Sequence, residues 1–180
     1  MIGLFGSKES FVQKLDSLFF VNIDSIPGSA KIPDVTGLIG MYAHGNEPSH
    51  HIAYLFSCAG YPNKTAKIVR EVFDKFYLPK RDGLCGNDDC GQMSAWYIFS
   101  AFGFYPVDPV SGEYILGAPQ LKEATLNLPY GKTFKIKANN LSVDNKYVKA
   151  VRLNGEKIDY RGIQYDSIKK GGILEFDMTK

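Results

Sequence analysis

The spacing of apolar residues changes at residues 106–109, and this change constrains the fold more than any other feature of the chain. Before Pro106, apolar residues recur every three or four positions, which is the periodicity of an amphipathic helix. After Pro109 they alternate with polar residues in short runs separated by Gly and Asn, which is typical of strands. The sequence therefore predicts an α+β fold, with helices over residues 1–106 and a small antiparallel β-sandwich over residues 107–180.

Caps, breakers and apolar spacing predict the helices of the first region. The aromatic residues of the last helix, among them Trp96, indicate deep burial. The predictions are a helix capped by Ser7 and ending before a loop with Pro27, Gly28 and Pro33; a helix over residues 35–42; a helix opened by Ser49 and stopped by Gly60 and Pro62; a helix capped by Asn63 or Thr65 and closed by Pro79; and a helix from Gly91 to Phe102 with Gly103 as its left-handed stop.

Short alternating runs predict the strands of the second region. Asn154-Gly155 is the strongest hairpin signal, because both residues tolerate the positive φ of a type I′ turn. The predicted antiparallel strands lie within residues 114–116, 124–128, 133–137, 147–153 and 172–176.

Composition excludes several classes of protein. The 21 Lys and Arg residues against 19 Asp and Glu residues give a net charge of +2 without a basic run, so nucleic acid is not an expected partner. No apolar run approaches the roughly 20 residues that cross a bilayer, so no membrane span is expected. The 3 cysteines, Cys58, Cys85 and Cys90, are too few for a disulfide framework, and Cys85-x4-Cys90 lacks the usual zinc spacing.

Polar groups concentrate first at residues 44–51, His44-Gly-Asn-Glu-Pro-Ser-His-His51, which contain every histidine of the chain. Such a segment can point several polar groups into one cleft, so it predicts contact with a ligand or a metal. Alternatively, Asn46 and Ser49 cap a helix and the histidines bond to backbone. The HExxH pattern of zinc proteases is absent.

A second polar cluster lies at residues 82–92, where Asp88 and Asp89 are adjacent before a helix. Two neighbouring carboxylates repel each other unless a cation, helix N–H groups or sugar hydroxyls face them, so a catalytic base fits this setting. The alternative is a turn and helix cap with both side chains in water. Oxygen atoms from Asn46, Glu47 and these aspartates suit a hard cation such as calcium.

These two segments, His44–His51 and Gly86-Asn-Asp-Asp-Cys-Gly-Gln-Met-Ser-Ala-Trp-Tyr97, together resemble the signature segments of glycoside hydrolase family 92. Gly103-Phe-Tyr-Pro106 and the hairpin at Asn154 are also similar to that family. The resemblance implies the C-terminal part of a longer, calcium-dependent, inverting exo-α-1,2-mannosidase. Residues 1–106 would then be helices of an (α/α)6-barrel, and residues 107–180 the sandwich-like region.

The resemblance also implies residue roles. Asp89 is the first choice for the general base and Asp88 the second. His44, Asn46, Glu47, Asn87 and Gln92 are expected to bind substrate, with Asn46 and Glu47 as candidate calcium ligands. The general acid is expected in a Glu-containing segment upstream of this chain, so the chain alone is expected to be inactive.

Partners and location follow from the same resemblance. Mannose-containing glycans are the expected partners, and the parent protein is expected to be secreted, periplasmic or on a bacterial cell surface. Helix faces that lack their barrel neighbours, around Val72, Phe73, Phe76 and Trp96, are expected to promote self-association. The alternatives are a carbohydrate-binding module, a purely structural module, and a zinc hydrolase that uses histidines with Cys85 or Cys90.

Overall fold

The helices precede most of the strands, and the α+β class is confirmed. A computed structural model describes residues 2–22 and 35–180, so the predicted loop with Pro27, Gly28 and Pro33 lies outside the described residues. The helices are α1 Lys8–Phe20, α2 Leu55–Cys58, α3 Pro62–Phe76, α4 Gln92–Phe102 and α5 Tyr165–Lys169. The strands are β1 Leu38–Ile39, β2 Tyr42–Ala43, β3 Phe104–Asp108, β4 Glu113–Leu116, β5 Glu123–Asn127, β6 Thr133–Asn139, β7 Tyr147–Leu153, β8 Glu156–Ile158, β9 Gly162–Gln164 and β10 Gly172–Thr179.

Helix α1 begins where the sequence predicts. The Ser7 hydroxyl accepts a hydrogen bond from the backbone N–H of Ser10 at 3.0 Å, which satisfies one of the free donors of the first turn. The buried face carries Phe11, Leu15 and Phe19 and packs into the helical core.

The helix predicted over residues 35–42 is wrong, because this segment forms the β1–β2 hairpin. Gly37 and Gly40 have φ values of +66° and +56°, which glycine adopts without steric cost and which interrupt a helix. A side chain on Gly40 would lie 2.5 Å from the carbonyl oxygen of Leu18. The backbone N–H of Met41 donates to that same oxygen at 2.8 Å, so the hairpin turn packs directly against the end of α1.

The predictions for the next two helices are partly wrong. Residues 47–49 and 52–54 form 3-10 turns, and α2 itself is only four residues long. Pro62, predicted as a stop, is the first residue of α3, a position where the missing N–H costs nothing. Neither Asn63 nor Thr65 caps α3; the Thr65 hydroxyl instead accepts from the Ser57 N–H at 3.0 Å and ties α2 to α3.

Helices α3 and α4 both contribute to the helical core. Trp96 is fully buried, as predicted, and Gly103 ends α4 with φ +91°. Val72, Phe73 and Phe76 are buried within the chain, so the prediction that they form an exposed face is wrong. Their neighbours within this chain cover them. On α4 the exposed apolar residues are Tyr97 and Ile98.

The strands after α4 form two sheets, ordered β5-β6-β10-β7-β8 and β3-β4-β9. Asn154-Gly155 makes the β7–β8 turn with φ +54° and +86°, which confirms the predicted hairpin. The prediction of wholly antiparallel strands is wrong, because β6 and β10 pair in parallel. The long connection between β6 and β10 lets them run side by side in the same direction.

The two sheets share one core, which includes Phe104, Leu116, Phe134, Leu174 and Phe176. Strand β3 crosses the predicted boundary between residues 106 and 107, so it links the helical part directly to the smaller sheet. Within the described residues, no helix is both long and apolar enough to cross a membrane.

Candidate active site

The fold brings the two polar segments together. We call residues 44–51 the histidine loop and residues 82–92 the aspartate loop. Glycines lie where the backbones approach most closely: a side chain on Gly86 would lie 3.2 Å from the Gly45 carbonyl oxygen, and one on Gly45 would lie 2.0 Å from the Thr36 hydroxyl. Gly86 can therefore approach the histidine loop because it lacks a Cβ, and Gly45 can pack against Thr36 for the same reason.

The aspartate loop ends in a left-handed turn immediately before α4. Asp89, Cys90 and Gly91 have φ values of +47°, +57° and +91°, and only glycine adopts this region without a steric penalty. Residues held in this region are enriched at functional sites, where the surrounding structure maintains the strain. The turn leaves the Asp89 side chain exposed beside the histidine loop.

Asp88 and Asp89 have different surroundings despite being adjacent. One carboxylate oxygen of Asp88 accepts from the Ser94 N–H at 2.8 Å, and its backbone carbonyl accepts from the Met93 N–H at 3.2 Å. Asp88 therefore caps the start of α4, as the structural alternative for this loop expected. Asp89 makes no such bond through its side chain to α4, which leaves its carboxylate available.

Glu47 and Asp89 form a carboxyl pair across the two loops. Hydrogen bonding from the Asp89 carboxyl lowers the pKa of Glu47. The same bond raises the pKa of Asp89, and the nearby negative charges of Glu47 and Asp88 act in the same direction. Two carboxylates this close repel each other, and a cation beside them would relieve that repulsion.

His44 lies behind this pair and is fully buried. Its Nδ1 is 2.8 Å from the Tyr42 hydroxyl, and its Nε2 is 2.8 Å from the Tyr77 hydroxyl. Burial lowers the pKa of His44 to about 3, with a smaller contribution from His50, so the ring is neutral. Both nitrogens are occupied by protein groups, and His44 faces the core rather than the exposed pair.

His50 joins the histidine loop to α4. Its Nε2 donates to the His44 carbonyl at 3.0 Å, and its own carbonyl accepts from the Trp96 indole N–H at 3.0 Å. Gln92 lies 3.2 Å from Nδ1 of His50 and donates to the Tyr105 hydroxyl at 3.3 Å. The bonding of histidines to backbone, expected as the alternative for this loop, is thus found at His50.

The remaining candidates, Asn46 and Asn87, are exposed. Asn46 precedes the 3-10 turn at Glu47–Ser49 without a side-chain capping bond, so its amide is not used as the helix cap that was considered. Asn46 and Asn87 are thus exposed on the two loops whose Glu47 and Asp89 side chains interact.

Oxygen atoms dominate this surface, which fits a hard cation better than a soft one. The carboxyl groups of Glu47 and Asp89 interact with each other, and Asn46, next to Glu47 in sequence, adds an amide oxygen. Among residues 2–22 and 35–180, no three His, Cys, Asp or Glu side chains converge to hold a metal. Calcium bound here would take its other ligands from backbone, water, sugar hydroxyls or residues of a longer chain.

Comparison with known proteins identifies the family. The model of the glycosyl hydrolase family 92 catalytic domain matches residues 1–180. The chain belongs to glycosyl hydrolase family 92. The family 92 resemblance seen in the two loop motifs is thereby confirmed.

Individual family 92 relatives match along nearly the whole chain. A family 92 α-mannosidase from Bacteroides thetaiotaomicron, solved with mannoimidazole, is 46% identical with a TM-score of 0.86 over 96% of this chain and 22% of its own. A family 92 inverting mannosidase from the same organism is 38% identical, with a TM-score of 0.81 over 98% and 25%. A protein described as an uncharacterized secreted glycosidase from Arthroderma benhamiae is 28% identical over 100% of this chain and 21% of its own. The chain thus spans a fifth to a quarter of the relatives it matches.

Sequence reasoning missed the tyrosines that support this family 92 site. Tyr42 and Tyr77 contact His44 from β2 and from the residue after α3, and Tyr105 contacts Gln92 from β3. Only Tyr105 lies in a segment, Gly103–Pro106, whose similarity to the family could have drawn attention to it. Tyr42 was placed in a helix, so its direction could not be inferred.

Proposed function

We propose that this chain forms part of the active site of an inverting exo-α-mannosidase that removes terminal mannose, α-1,2-linked in the first instance, from glycans. Family membership and the two mannosidase relatives from Bacteroides thetaiotaomicron support glycoside hydrolysis. The observation that carries the proposal is the exposed Asp89 carboxyl, held on a left-handed turn and paired with Glu47.

Asp89 is the general base in this proposal. An inverting glycosidase needs a carboxylate that takes a proton from water as the water attacks the anomeric carbon opposite the leaving oxygen. A raised pKa makes Asp89 a stronger base once it is ionised. Asp88 is less suited, because one of its oxygens already caps α4.

Glu47 is not the general acid that works with Asp89. The acid and base of an inverting glycosidase stand roughly 6.5–9.5 Å apart to admit the water, whereas Glu47 and Asp89 are within hydrogen-bonding distance. The acid that protonates the leaving oxygen must come from elsewhere. We place it in the upstream part of the catalytic domain, so this chain alone is expected to be inactive.

The exposed groups around Asp89 are proposed to hold the sugar. Asn46, Asn87 and Glu47 lie at the junction of the two loops, where they can bond to hydroxyls of the terminal mannose. Gln92 is half-buried between His50 and Tyr105, and we propose that it lines the sugar site behind these exposed groups. His44, predicted to contact sugar or calcium, is separated from them by burial and acts indirectly.

Calcium is the proposed cofactor, with Glu47 and Asn46 as ligands in this chain. When bound it would hold sugar hydroxyls and favour the charge of the transition state. Ionised Glu47, whose pKa is lowered by its bond to Asp89, is suited to remain charged in such a site. The parent protein is proposed to act outside the cytoplasm, where glycans are exposed, and one matched relative is described as secreted.

The test is release of mannose from α-1,2-linked mannobiose with calcium present. This chain is compared with a protein extended upstream through the rest of the catalytic domain, and the anomer of the first product is read by NMR. The proposal expects β-mannose from the extended protein alone. Activity of the short chain would contradict the claim that its general acid lies upstream. If α-mannose were the first product, inversion would be contradicted. If neither protein released mannose, the mannosidase assignment would be contradicted.

A further inference from the structure

A chain of buried and partly buried hydrogen bonds runs from β2 to the start of α4 through residues that the proposed chemistry does not use. Its members are the side chains of Tyr42, His44 and Tyr77 and the backbone carbonyl of Met93. The successive distances are 2.8 Å from Tyr42 to His44, 2.8 Å from His44 to Tyr77 and 3.1 Å from Tyr77 to Met93. We call these four groups the relay.

The direction of every bond in the relay can be deduced from its far end. A carbonyl oxygen only accepts, so the single hydroxyl proton of Tyr77 goes to Met93. The Tyr77 oxygen must then accept from Nε2 of His44. His44 is fully buried, which disfavours a charged imidazole, so Nδ1 carries no proton and accepts from the Tyr42 hydroxyl. His44 is therefore fixed as the Nε2–H tautomer.

Packing holds the relay in place. The His44 ring contacts Trp96 edge-on, with centroids 4.3 Å apart, and stacks on Phe76 at 6.0 Å. The Tyr77 ring is nearly parallel to that of Trp96, at 5.9 Å and 8°. A ring rotation at His44 or Tyr77 would break these contacts as well as two hydrogen bonds.

The relay holds residues close in sequence to both members of the carboxyl pair. His44 opens the histidine loop, three residues before Glu47. Met93 lies in the first turn of α4, and its N–H donates to the Asp88 carbonyl at 3.2 Å, next to the left-handed turn that carries Asp89. The Tyr77 hydroxyl therefore joins the histidine loop, which carries Glu47, to the first turn of α4, which follows Asp89.

We propose that His44, Tyr42 and Tyr77 are positioning residues that set the placement of Asp89 against Glu47 without touching substrate. This inference rests on the proposed function for its kinetic consequence, but the tautomer and the connection to the Asp89 turn are independent of it. A single conformation of the pair matters because a displacement of about 1 Å in a catalytic group can cost on the order of a hundredfold in rate.

Tyr77→Phe and Tyr42→Phe test the relay, because each removes one hydroxyl and keeps the ring. Tyr54→Phe is the matched control. Tyr54, like Tyr42, is fully buried, and it donates to the Ser100 hydroxyl at 2.8 Å, so Tyr54→Phe removes a buried tyrosine bond outside the relay. All three variants are compared by thermal unfolding and by kcat and KM in the protein extended upstream.

The expected result is a loss of kcat of about tenfold in Tyr77→Phe and Tyr42→Phe, with KM within about twofold and with Tyr54→Phe close to wild type. Equal kcat losses in all three variants, or unchanged kcat in the two relay variants, would overturn the proposal. The effects of the two relay substitutions should also be non-additive in the double variant, because they act through one imidazole.

Nitrogen-15 NMR of the histidine rings in this chain separates the relay from the proposed function. His44 should show a protonated Nε2 and an unprotonated Nδ1, and Tyr77→Phe should shift the amide signals of Asp89 and Cys90 more than Tyr54→Phe does. A protonated Nδ1, or no shift at the Asp89 turn, would overturn the relay even in an active enzyme. If the extended protein released no mannose, the proposed function would fail while these signals still decided the relay.

Discussion

The carboxyl groups of Glu47 and Asp89 lie within hydrogen-bonding distance, although one follows the β1–β2 hairpin and the other precedes α4. Glycines lie where these segments come close: a Cβ on Gly86 would meet the Gly45 carbonyl, and a Cβ on Gly45 would meet Thr36. The pair links the proposed base to a residue proposed to bind sugar and calcium. Its electrostatics give a testable pH dependence.

Glu47→Gln should move the acidic limb of the kcat/KM profile to lower pH. The base works when ionised, and Glu47 raises the pKa of Asp89 through its hydrogen bond and its charge. Removing that charge should let Asp89 lose its proton at lower pH. The measurement is the pH at which kcat/KM of the protein extended upstream falls to half its maximum on the acidic side, and it does not depend on the maximum value itself. A limb that stays in place or moves upward would contradict the pairing.

Stability should fall as the pH is lowered from neutrality, owing to His44. The unfolded chain takes up a proton near the ordinary pKa of 6.5, whereas folded His44 does so only at about 3, so protonation in this window favours unfolding. The free energy of unfolding should drop by about 2 kcal/mol between pH 6.5 and pH 5 from this residue alone.

Urea unfolding of this chain at both pH values measures the effect. His44→Gln cannot take up the proton, so it should show a smaller difference between the two pH values even though it is less stable at neutral pH. A difference as large as that of the wild type would show that another group causes it.

Gly45→Ala should displace the histidine loop from Thr36. Its new Cβ would lie 2.0 Å from the Thr36 hydroxyl and 3.1 Å from the Thr36 carbonyl, so the backbone must move. We expect a loss of about 1–3 kcal/mol in unfolding free energy, the usual cost of overpacking. Thr36→Ala should restore part of this loss by removing the nearer atom. Gly3→Ala, where no atom lies within 4 Å, is the control and should leave stability nearly unchanged.

Self-association through α4 remains a prediction, now located at Tyr97 and Ile98. These side chains are 40% and 50% exposed, and with Leu78 and Leu84 they line a groove of about 520 Å³. Ile98→Lys should lower the mass measured by light scattering at high concentration. Val110→Lys removes an even more exposed apolar residue, in a turn away from α4, and should not lower that mass. A wild-type chain that stays monomeric would contradict the prediction.

Local signals predicted those elements whose ends are set by nearby residues. Ser7, Gly103 and Asn154-Gly155 act through their own backbone or the next few residues, so α1, the end of α4 and the β7–β8 hairpin could be located. The β1–β2 hairpin could not, because Gly37 and Gly40 are required by contacts with Cys85 and the end of α1. The parallel pairing of β6 and β10 is likewise a long-range choice.

Part of the candidate site could likewise be predicted from local sequence, and part could not. The motifs indicated which loops matter, and adjacency of Asp88 and Asp89 indicated a carboxylate function. What separates the two aspartates is the bond from the Ser94 N–H to Asp88 and the left-handed φ of Asp89, neither of which the residue types reveal. Burial of His44 depends on tyrosines from other elements, so its indirect role could not be predicted from the loop alone.

The most direct test of the central claim is kcat for Asp89→Asn and Asp88→Asn in the protein extended upstream, with exposed Asp82→Asn as control. Asparagine at position 88 can still accept from the Ser94 N–H, whereas asparagine at position 89 cannot take a proton from water. We expect Asp89→Asn to lower kcat by about a hundredfold or more, and Asp88→Asn to lower it by less. An Asp88→Asn loss equal to or larger than that of Asp89→Asn would contradict the assignment of Asp89 as the general base.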